Sequence, residues 1–405
     1  MPLCGFYLSV ENIKSMVEIT LEPRLCECCG GNDLDPVWSN QRVVPRISDS
    51  YLFHVHVVVC RTCGFCFASP VSAPEALGRY YADSLAGYKG IALPYSIERR
   101  VSVLKKYSVP SGVFAEIGGD RPEEFHRQCK GLWSKFLNVE ASDDVPAEYR
   151  DVSELPPGSV DVIAHYDVLE HVPNVRGFFH ACYQALTNNG VMVCEVPDVR
   201  LYPRNLLLLE PEHVNHFSIT SLASIAQQCG LRLIDSGHIC SRSFGLLAVF
   251  QKDGLLLDQK PAYSSYEYLD TRACIQDGIT QINRMLDHIK LLQDRIAELG
   301  KRKKKIVLWG VTDQLRRLLS DFSLPSTAIV VDSDPRRKDH LASEGVDVLL
   351  PKDHIAHIKE SDLLVLFAPR YTQEIKEWIL CEAGKNFSTS EIEVVGSGPS
   401  GESLL

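Results

Sequence analysis

The sequence predicts an α/β protein built on parallel sheets, and two stretches of the chain carry that prediction. In the first, an apolar run from Val160 to Ala164 is followed by a helical pattern and a second apolar run, Val191 to Val196. A strand, a helix and a strand at this spacing form a βαβ unit, whose crossover makes the two strands parallel. In the second, residues 305–396 repeat the alternation with the segments KIVLWG, AIVVDSDP, DLLVLFAP and EIEVVG.

Length and composition limit the class of protein further. The 405 residues are too many for one ordinary hydrophobic core, so we expect two or three domains. A net charge of −10 argues against a general nucleic-acid surface, which needs a basic patch. No apolar run is long enough to span a bilayer, and the first residues lack the pattern of a signal peptide. We therefore expect a cytoplasmic protein without a nucleic-acid or membrane partner.

The cysteines near the N-terminus predict a metal site. Fourteen cysteines in such a chain indicate thiols and metal ligands rather than disulfides. Two C-x-x-C pairs, each followed by a glycine, have the spacing of a structural four-thiolate zinc site. Buried thiols without metal and a redox role are the alternatives, and the neighbouring Cys28 and Cys66 leave the choice of ligands open. The four predicted ligands are Cys26, Cys29, Cys60 and Cys63.

Polar residues at the predicted strand ends indicate where a ligand binds. In parallel sheets such residues line the ligand crevice, and we expect His165, Tyr166 and Asp167 to do so here. Another apolar strand, within Val113–Gly119, ends in an acid and two glycines. Glycines at this point let backbone N–H groups approach a ligand at a helix N-terminus, although the pattern alone is a weak signal.

The central stretch also resembles a known family. DVIAHYDVLEHV at Asp161–Val172, the later NNG and EVPD, and EHVNHFSITSLASIAQQCGLRLID are similar to the second half of class I S-adenosylmethionine-dependent methyltransferase domains. The resemblance implies a class I methyltransferase Rossmann-like sheet, flanked by an N-terminal Cys4 zinc module and a smaller C-terminal Rossmann-like domain. The expected boundaries are a zinc module at 1–75, the methyltransferase domain at 76–260, and a long helix with the C-terminal domain at 261–405.

The resemblance further implies a set of cofactor-binding residues. An acid two residues before the first glycine begins the cofactor loop, but Asp120 stands where the family has its second glycine. The acid after the next strand would accept hydrogen bonds from the ribose hydroxyls, or else lie in a surface turn. A further acid would lie near the adenine, or else cap the following turn. The implied residues are Glu116, Gly118, Gly119, Glu140, Asp151 and Tyr166.

The domain order as a whole resembles the nucleotide-sugar C-methyltransferases of deoxysugar pathways. In that family zinc is structural, and the substrate is a keto-deoxysugar on a nucleoside diphosphate. A histidine removes the proton next to the ketone, and the enolate carbon then takes the methyl group from the sulfonium cofactor. The resemblance implies that His213 is this base, that Glu212 supports it, and that His171 lies near the sugar. Tyr88 matches an active-site tyrosine.

Three alternatives stay open for the function and the assembly. A methyltransferase of the same build could act on another small molecule at oxygen or nitrogen. A non-catalytic relative could bind a sugar nucleotide or a partner protein, because Asp120 and Glu210 depart from the family pattern in ligand-contacting loops. The apolar stripe along residues 263–300 fits interdomain packing or a dimer contact, so the chain is expected to be a monomer or a homodimer.

Overall fold

The computed structural model describes residues 16–45, 49–82, 97–119, 122–142, 145–204, 210–237, 245–254, 263–320, 322–338, 341, 345–368, 371–383 and 392–395. The chain forms two compact units, of which the first is Lys14–Ile279 and the second is Met1–Ile13 together with Thr280–Leu405. The division between them falls inside a long helix. The three-domain division expected from the sequence stays a prediction.

The first unit contains an N-terminal sheet with strand order β1-β4-β5-β11, in which β3 also pairs with β4. In β4, alternate residues from Tyr51 to Val57 are buried, which is the pattern of a strand with one face in the core. The pair β2 and β6 and the helix α1 complete this part. The elements are β1 (Met16–Glu18), β2 (Leu21–Glu22), β3 (Leu34–Pro45), β4 (Ser50–Cys60), β5 (Cys66–Ala68), β6 (Val71–Ser72), α1 (Pro74–Ala82) and β11 (Asn215–His216).

The second sheet of this unit has the order β12-β13-β10-β9-β7-β8. Its strands pair in parallel except for β13, which runs antiparallel to both of its neighbours. Hydrophobic clusters cover both faces of the sheet. The elements are α2 (Ile97–Leu104), β7 (Val113–Ile117), α3 (Pro122–Gln128), β8 (Lys135–Val139), β9 (Val160–Tyr166), α4 (Val175–Ala185), β10 (Leu186–Pro197), α5 (Ile219–Gln228), β12 (Leu231–Gly237) and β13 (Gly245–Lys252).

The βαβ unit predicted around Val160 is confirmed as β9, α4 and β10. The helix α4 ends at Ala185, before the Asn-Asn-Gly segment of the sequence. That segment lies instead at an irregularity within β10, where Asn189 has a φ of 76°. Asparagine tolerates this left-handed backbone better than most residues, so the same segment suits a bulge as well as a helix end.

The second unit contains a sheet of five parallel strands in the order β16-β15-β14-β17-β18. Four of these strands match the four predicted segments; the two-residue β16 is too short to leave a pattern in the sequence. Glu393 of β18 binds His288 and Arg295 of the long helix α6 within this unit. The elements are α6 (Ser265–Lys301), β14 (Ile306–Trp309), α7 (Asp313–Leu319), β15 (Ala328–Val331), β16 (Val348–Leu349), α8 (Ile355–Lys359), β17 (Leu363–Leu366), α9 (Thr372–Ala383) and β18 (Ile392–Val394).

Among the described helices, none combines the length and the apolar character that a membrane span requires.

Candidate active site

The four predicted zinc ligands come together in the first unit. The sulfur atoms of Cys26, Cys29, Cys60 and Cys63 all lie within 4.8 Å of one another, with Cys26 Sγ 3.4 Å from Cys63 Sγ. Each C-x-x-C pair is a tight turn closed by a backbone hydrogen bond from the following glycine to the first cysteine. Both glycines have positive φ, as the sequence pattern predicted.

The electrostatics of the cluster favour a bound cation. A hydrogen bond from Cys26 lowers the pKa of Cys60 far below that of a free thiol. Hydrogen bonding within the cluster raises the pKa of Cys63 instead, because its thiol is held as the donor. Four sulfur atoms this close cannot all be thiolates without a compensating charge. A tetrahedral ion with soft-ligand preference, such as zinc, would satisfy all four at once.

The cluster is fastened to the second sheet of the same unit. The backbone carbonyl of Cys28 accepts hydrogen bonds from Arg176 of α4, Gln228 of α5 and Tyr263, at 2.8 to 3.1 Å. Cys66 follows in β5, where its buried thiol has a raised pKa because of desolvation. The first cysteine turn is therefore packed against α4, α5 and Tyr263 of the same unit.

The strand order creates a ligand crevice between β7 and β9. The chain leaves β7 toward β8 on one side and returns to β9 on the other side. In open parallel sheets, ligands bind outside the carboxyl ends of the strands at such a switch point. Gly118 follows β7 here with a φ of 74°, and a Cβ on it would lie 2.5 Å from Val168 Cγ2. A side chain at this left-handed position would be strained and would displace Val168, so the loop after β7 packs closely against the residues after β9.

Glu116 and Gly119 belong to the same loop. The Glu116 carboxylate is buried beneath Gly119, whose added Cβ would lie 2.7 Å from Glu116 Oε2 and from Asn138 Oδ1. Its Oε2 lies 3.4 Å from His126 Nε2 of α3. The Glu116 carboxylate thus packs against the backbone of Gly119 and helps to fix the position of the loop. Asp120, the residue expected to crowd the cofactor, lies outside the described residues.

The other predicted cofactor residues occupy different positions around the crevice. Glu140 follows β8, and its Oε1 accepts the N–H of Ser142 at 2.9 Å. Asp151 is exposed and caps the turn Val152–Glu154, accepting the N–H of Ser153 at 2.8 Å. In this structure the carboxylate of Asp151 therefore caps the turn, which was one of the two roles expected for it. Its other expected role, near the adenine, stays a prediction.

Two neighbouring residues at the end of β9, His165 and Tyr166, point to opposite faces of the sheet. Both ring nitrogens of His165 are buried without a hydrogen-bond partner among the described residues, and its ring packs against Phe178. Desolvation lowers the pKa of His165 to about 3, so it is a neutral core histidine. The expectation that His165 lines the crevice is wrong, because its side chain points to the α4 face of the sheet. Tyr166 points to the opposite face, where the Arg100 guanidinium lies 3.9 Å from its ring centroid.

Three predicted catalytic residues come together next to the crevice. The rings of His171 and His213 lie 4.8 Å apart, and His171 Nδ1 lies 3.2 Å from the carbonyl oxygen of Glu212. Because a carbonyl only accepts hydrogen bonds, Nδ1 of His171 carries the proton, and Nε2 is the basic atom of the neutral ring. The Glu212 carboxylate accepts a hydrogen bond from Tyr80 at 3.3 Å.

Further polar residues lie beside the two histidines. Tyr81 of α1 lies 2.9 Å from His171 Nδ1, while Tyr88, the tyrosine predicted from the resemblance, lies outside the described residues. Buried Glu170 has a carboxylate oxygen 3.9 Å from His171 Nε2. Its position beside His171 in the sequence was the available signal. Glu210, which stands at a family tyrosine position, forms an ion pair with Arg42 at 3.7 Å.

One buried amide fixes the two histidine-bearing segments against each other. Asn215 Nδ2 donates to the carbonyls of Leu169 and Val172, each at 2.8 Å, and its Oδ1 accepts from Arg24 at 2.7 Å. Asn215 also begins β11, which pairs with β5 directly after the second cysteine turn. The N-terminal sheet therefore sets the position of His213.

Comparison with known proteins agrees with this fold. Residues 91–236 match the model of a methyltransferase-domain family. No sequence among curated proteins matches the chain. Similar solved structures include a S-adenosylmethionine-dependent methyltransferase from Mesorhizobium loti, at 14% identity over 38% of this chain and 100% of that one, with a TM-score of 0.32.

Two more solved structures show similarity at the same level. One is the 1,6-didemethyltoxoflavin-N1-methyltransferase of Burkholderia thailandensis, solved with 1,6-didemethyltoxoflavin and S-adenosylhomocysteine bound. It is 13% identical over 47% of this chain and 96% of that one, with a TM-score of 0.37. A methyltransferase from Archaeoglobus fulgidus is 18% identical over 39% and 95%, with a TM-score of 0.32. These similarities are too distant to identify a substrate.

Residues 91–236 are thus a methyltransferase domain, as the family match states. The match supports an enzyme of the methyltransferase class.

Proposed function

We propose that the protein transfers a methyl group from S-adenosylmethionine to a carbon atom of a keto-deoxysugar carried on a nucleoside diphosphate. The observation that carries this proposal is the position of the histidine pair. Val168 packs against Gly118 of the cofactor loop, and only three residues later His171 faces His213 at a ring distance of 4.8 Å. A pair of ring bases therefore lies directly beside the cofactor crevice.

The groups around the pair suit removal of a proton next to a ketone. His213 is the general base, since a neutral imidazole has a suitable basicity near neutral pH. The Tyr81 hydroxyl is positioned to donate a hydrogen bond to a developing enolate oxygen. S-adenosylmethionine would supply an electrophilic methyl group to the carbon that lost the proton. Glu116, Gly118, Gly119, Glu140, Asp151 and Tyr166 are the proposed cofactor residues.

Zinc is proposed as a structural ion held by Cys26, Cys29, Cys60 and Cys63. A closed set of four thiolates leaves no position for substrate, so the ion would take no part in methyl transfer. Its function would be to hold β5, and through β11 the His213 segment, in place.

The base is tested apart from methyl transfer by hydrogen exchange at carbon. Nucleoside-diphosphate keto-deoxysugars would be incubated with the protein and S-adenosylhomocysteine in heavy water, and deuterium next to the ketone would be read by NMR. Wild type should catalyse exchange, and His213→Ala should abolish it while S-adenosylhomocysteine binding is kept. His180→Ala, at an exposed histidine of α4, is the matched control and should exchange normally. Equal exchange by His213→Ala and wild type would refute the role of this base.

A second acceptor class, methylation of another small molecule at oxygen or nitrogen, uses the same pocket. Cofactor carrying a ¹³C-labelled methyl group distinguishes the two, because the NMR signal of the methyl carbon shows whether it is bonded to carbon, oxygen or nitrogen. A signal from a methyl group on oxygen or nitrogen would favour the second class.

A further inference from the structure

Three side chains beside the crevice bring atoms of metal-binding type together. Glu170, His171 and His213 each place one such atom, a carboxylate oxygen or a ring nitrogen, within 4.8 Å of the other two. Glu170 is 1% exposed and His213 is 9% exposed, so the group is not a chance cluster of surface acids. Among the described residues, the four cysteines are the other group that meets this description.

The orientation of His171 directs one ring nitrogen toward Glu170. Its Nδ1 lies 3.2 Å from the Glu212 carbonyl oxygen and 2.9 Å from the Tyr81 hydroxyl. The proton on Nδ1 leaves the lone pair of the neutral ring on Nε2, which lies 3.9 Å from Glu170 Oε1. A histidine whose other nitrogen donates to a carbonyl is the usual arrangement at metal sites, because that bond fixes the ring.

The distances suit an ion placed between these side chains. Metal–nitrogen and metal–oxygen bonds of about 2.0–2.2 Å put the ligand atoms of one ion about 3.0–4.4 Å apart. The separation of 3.9 Å lies in that range, whereas a direct hydrogen bond would be about 2.9 Å long. A shift of about 0.5 Å brings even a pair at the limit of 4.8 Å into the range.

The two segments that carry the ligands are already held against each other. Glu170 and His171 belong to the turn Leu169–His171, and the Glu170 carbonyl accepts the N–H of Val214 at 2.8 Å. Asn215 adds its two hydrogen bonds to the carbonyls on that side. The ligand atoms are therefore positioned before an ion arrives, so that binding requires little ordering of the chain.

The donor set selects the class of ion. Two imidazole nitrogens and one carboxylate oxygen suit divalent transition ions such as zinc, cobalt and nickel, whereas magnesium and calcium prefer oxygen ligands. Three protein ligands leave a coordination position for water, and the His171 side chain is 23% exposed, which gives an ion access from solvent. The site therefore differs from the closed cluster of four cysteines.

We propose that Glu170, His171 and His213 bind a divalent transition-metal ion reversibly, and that the bound ion inhibits the enzyme. A nitrogen lone pair bound to a metal cannot accept a proton, so the ion competes with the substrate proton for His213. The binding follows from the geometry, whereas the inhibition rests on the proposed role of His213 as base.

Binding is tested with Co²⁺, whose absorption reports its ligands. Protein with zinc in the four-cysteine cluster would be titrated with Co²⁺, and wild type should bind one further ion without the charge-transfer bands of thiolate ligands. Glu170→Gln keeps the shape of the side chain and should weaken binding at least about 10-fold, as should His213→Ala, with urea unfolding as the check on folding. Glu75→Gln makes the same change at an exposed position of α1 and is the matched control. Cobalt bound only through thiolates, or bound equally well by Glu170→Gln and Glu75→Gln, would overturn the site.

Inhibition is measured by the deuterium exchange that tests the base. Co²⁺ should slow exchange by wild type and by Glu75→Gln over the concentrations at which it binds, and Glu170→Gln should require at least about 10-fold more. Equal inhibition of all three would place the ion elsewhere, such as on the diphosphate of the substrate, and would overturn the inference, as would unchanged exchange with cobalt bound. If wild type binds cobalt as described but catalyses no exchange without it, the proposed base is wrong and the ion site stands.

Discussion

Replacement of Asn215 by alanine would test how the histidine pair is held together. The variant removes two hydrogen bonds to the carbonyls of Leu169 and Val172 and the acceptor of the Arg24 guanidinium. A neutral hydrogen bond contributes about 1 kcal/mol and one to a charged group about 1.5–3 kcal/mol. The two bonds to the segment 169–172 predict a loss of roughly 2 kcal/mol in its local stability. The bond to Arg24 adds roughly 2 kcal/mol to the loss for the first unit as a whole.

Hydrogen exchange followed by mass spectrometry measures this local stability directly. Amides of residues 169–172 should lose protection in Asn215→Ala, whereas those of the second unit should not change. Asn188→Ala, at an exposed asparagine, is the matched control and should change stability by less than about 0.5 kcal/mol. Protection in Asn215→Ala equal to that in the control would show that the two hydrogen bonds to Leu169 and Val172 do not hold this segment.

Three further predictions concern the metal, a glycine and a buried histidine. Cys60→Ser should release the metal, measured by mass spectrometry of the bound element, while Cys66→Ser should keep it; stoichiometric metal in both variants would refute the ligand set. Gly64→Ala should lower the free energy of unfolding of the first unit in urea by about 2 kcal/mol more than Gly30→Ala does. Both glycines have similar φ, but only a Cβ on Gly64 would lie 2.5 Å from a backbone atom, the carbonyl carbon of Glu267. Equal effects of the two substitutions would contradict this contact. Burial holds the pKa of His165 at about 3, so the unfolded chain takes up the extra proton and stability falls as pH drops below 6.5, by about 1.4 kcal/mol per unit from this group. In His165→Leu the urea midpoint should depend less on pH between pH 6.5 and pH 4 than it does in wild type. An unchanged pH dependence would contradict the burial of a neutral ring.

Local patterns in the sequence predicted most of the fold. The βαβ unit from Val160, the strand within Ser50–Cys60 and four strands of the second unit each follow from a run of apolar or alternating residues. The four zinc ligands follow from two short spacings, each of which forms its own turn. These features were accessible because the residues that define them are close in sequence.

The site could be predicted only in part, because several of its contacts join residues that are far apart in the sequence. Asn215 meets Arg24 across 191 positions of the chain, and Tyr81 meets His171 across 90 positions, so no local pattern announces either contact. The wrong assignment of His165 has a different origin. The alternation of side chains along β9 places His165 on the same face as Ile163, in the hydrophobic core. The prediction followed the rule that polar residues at strand ends line a crevice, and it did not apply this alternation.

The central claim is methyl transfer to carbon, and one measurement tests it most directly. The zinc-loaded protein would be incubated with S-adenosylmethionine carrying a ¹³C-labelled methyl group and with nucleoside-diphosphate keto-deoxysugars, and the products would be analysed by ¹³C NMR. The account predicts a new methyl signal coupled to a ring carbon next to the ketone, and no such signal with His213→Ala. A label found only on oxygen or nitrogen, or a carbon-bound methyl formed equally well by the His213→Ala variant, would contradict it.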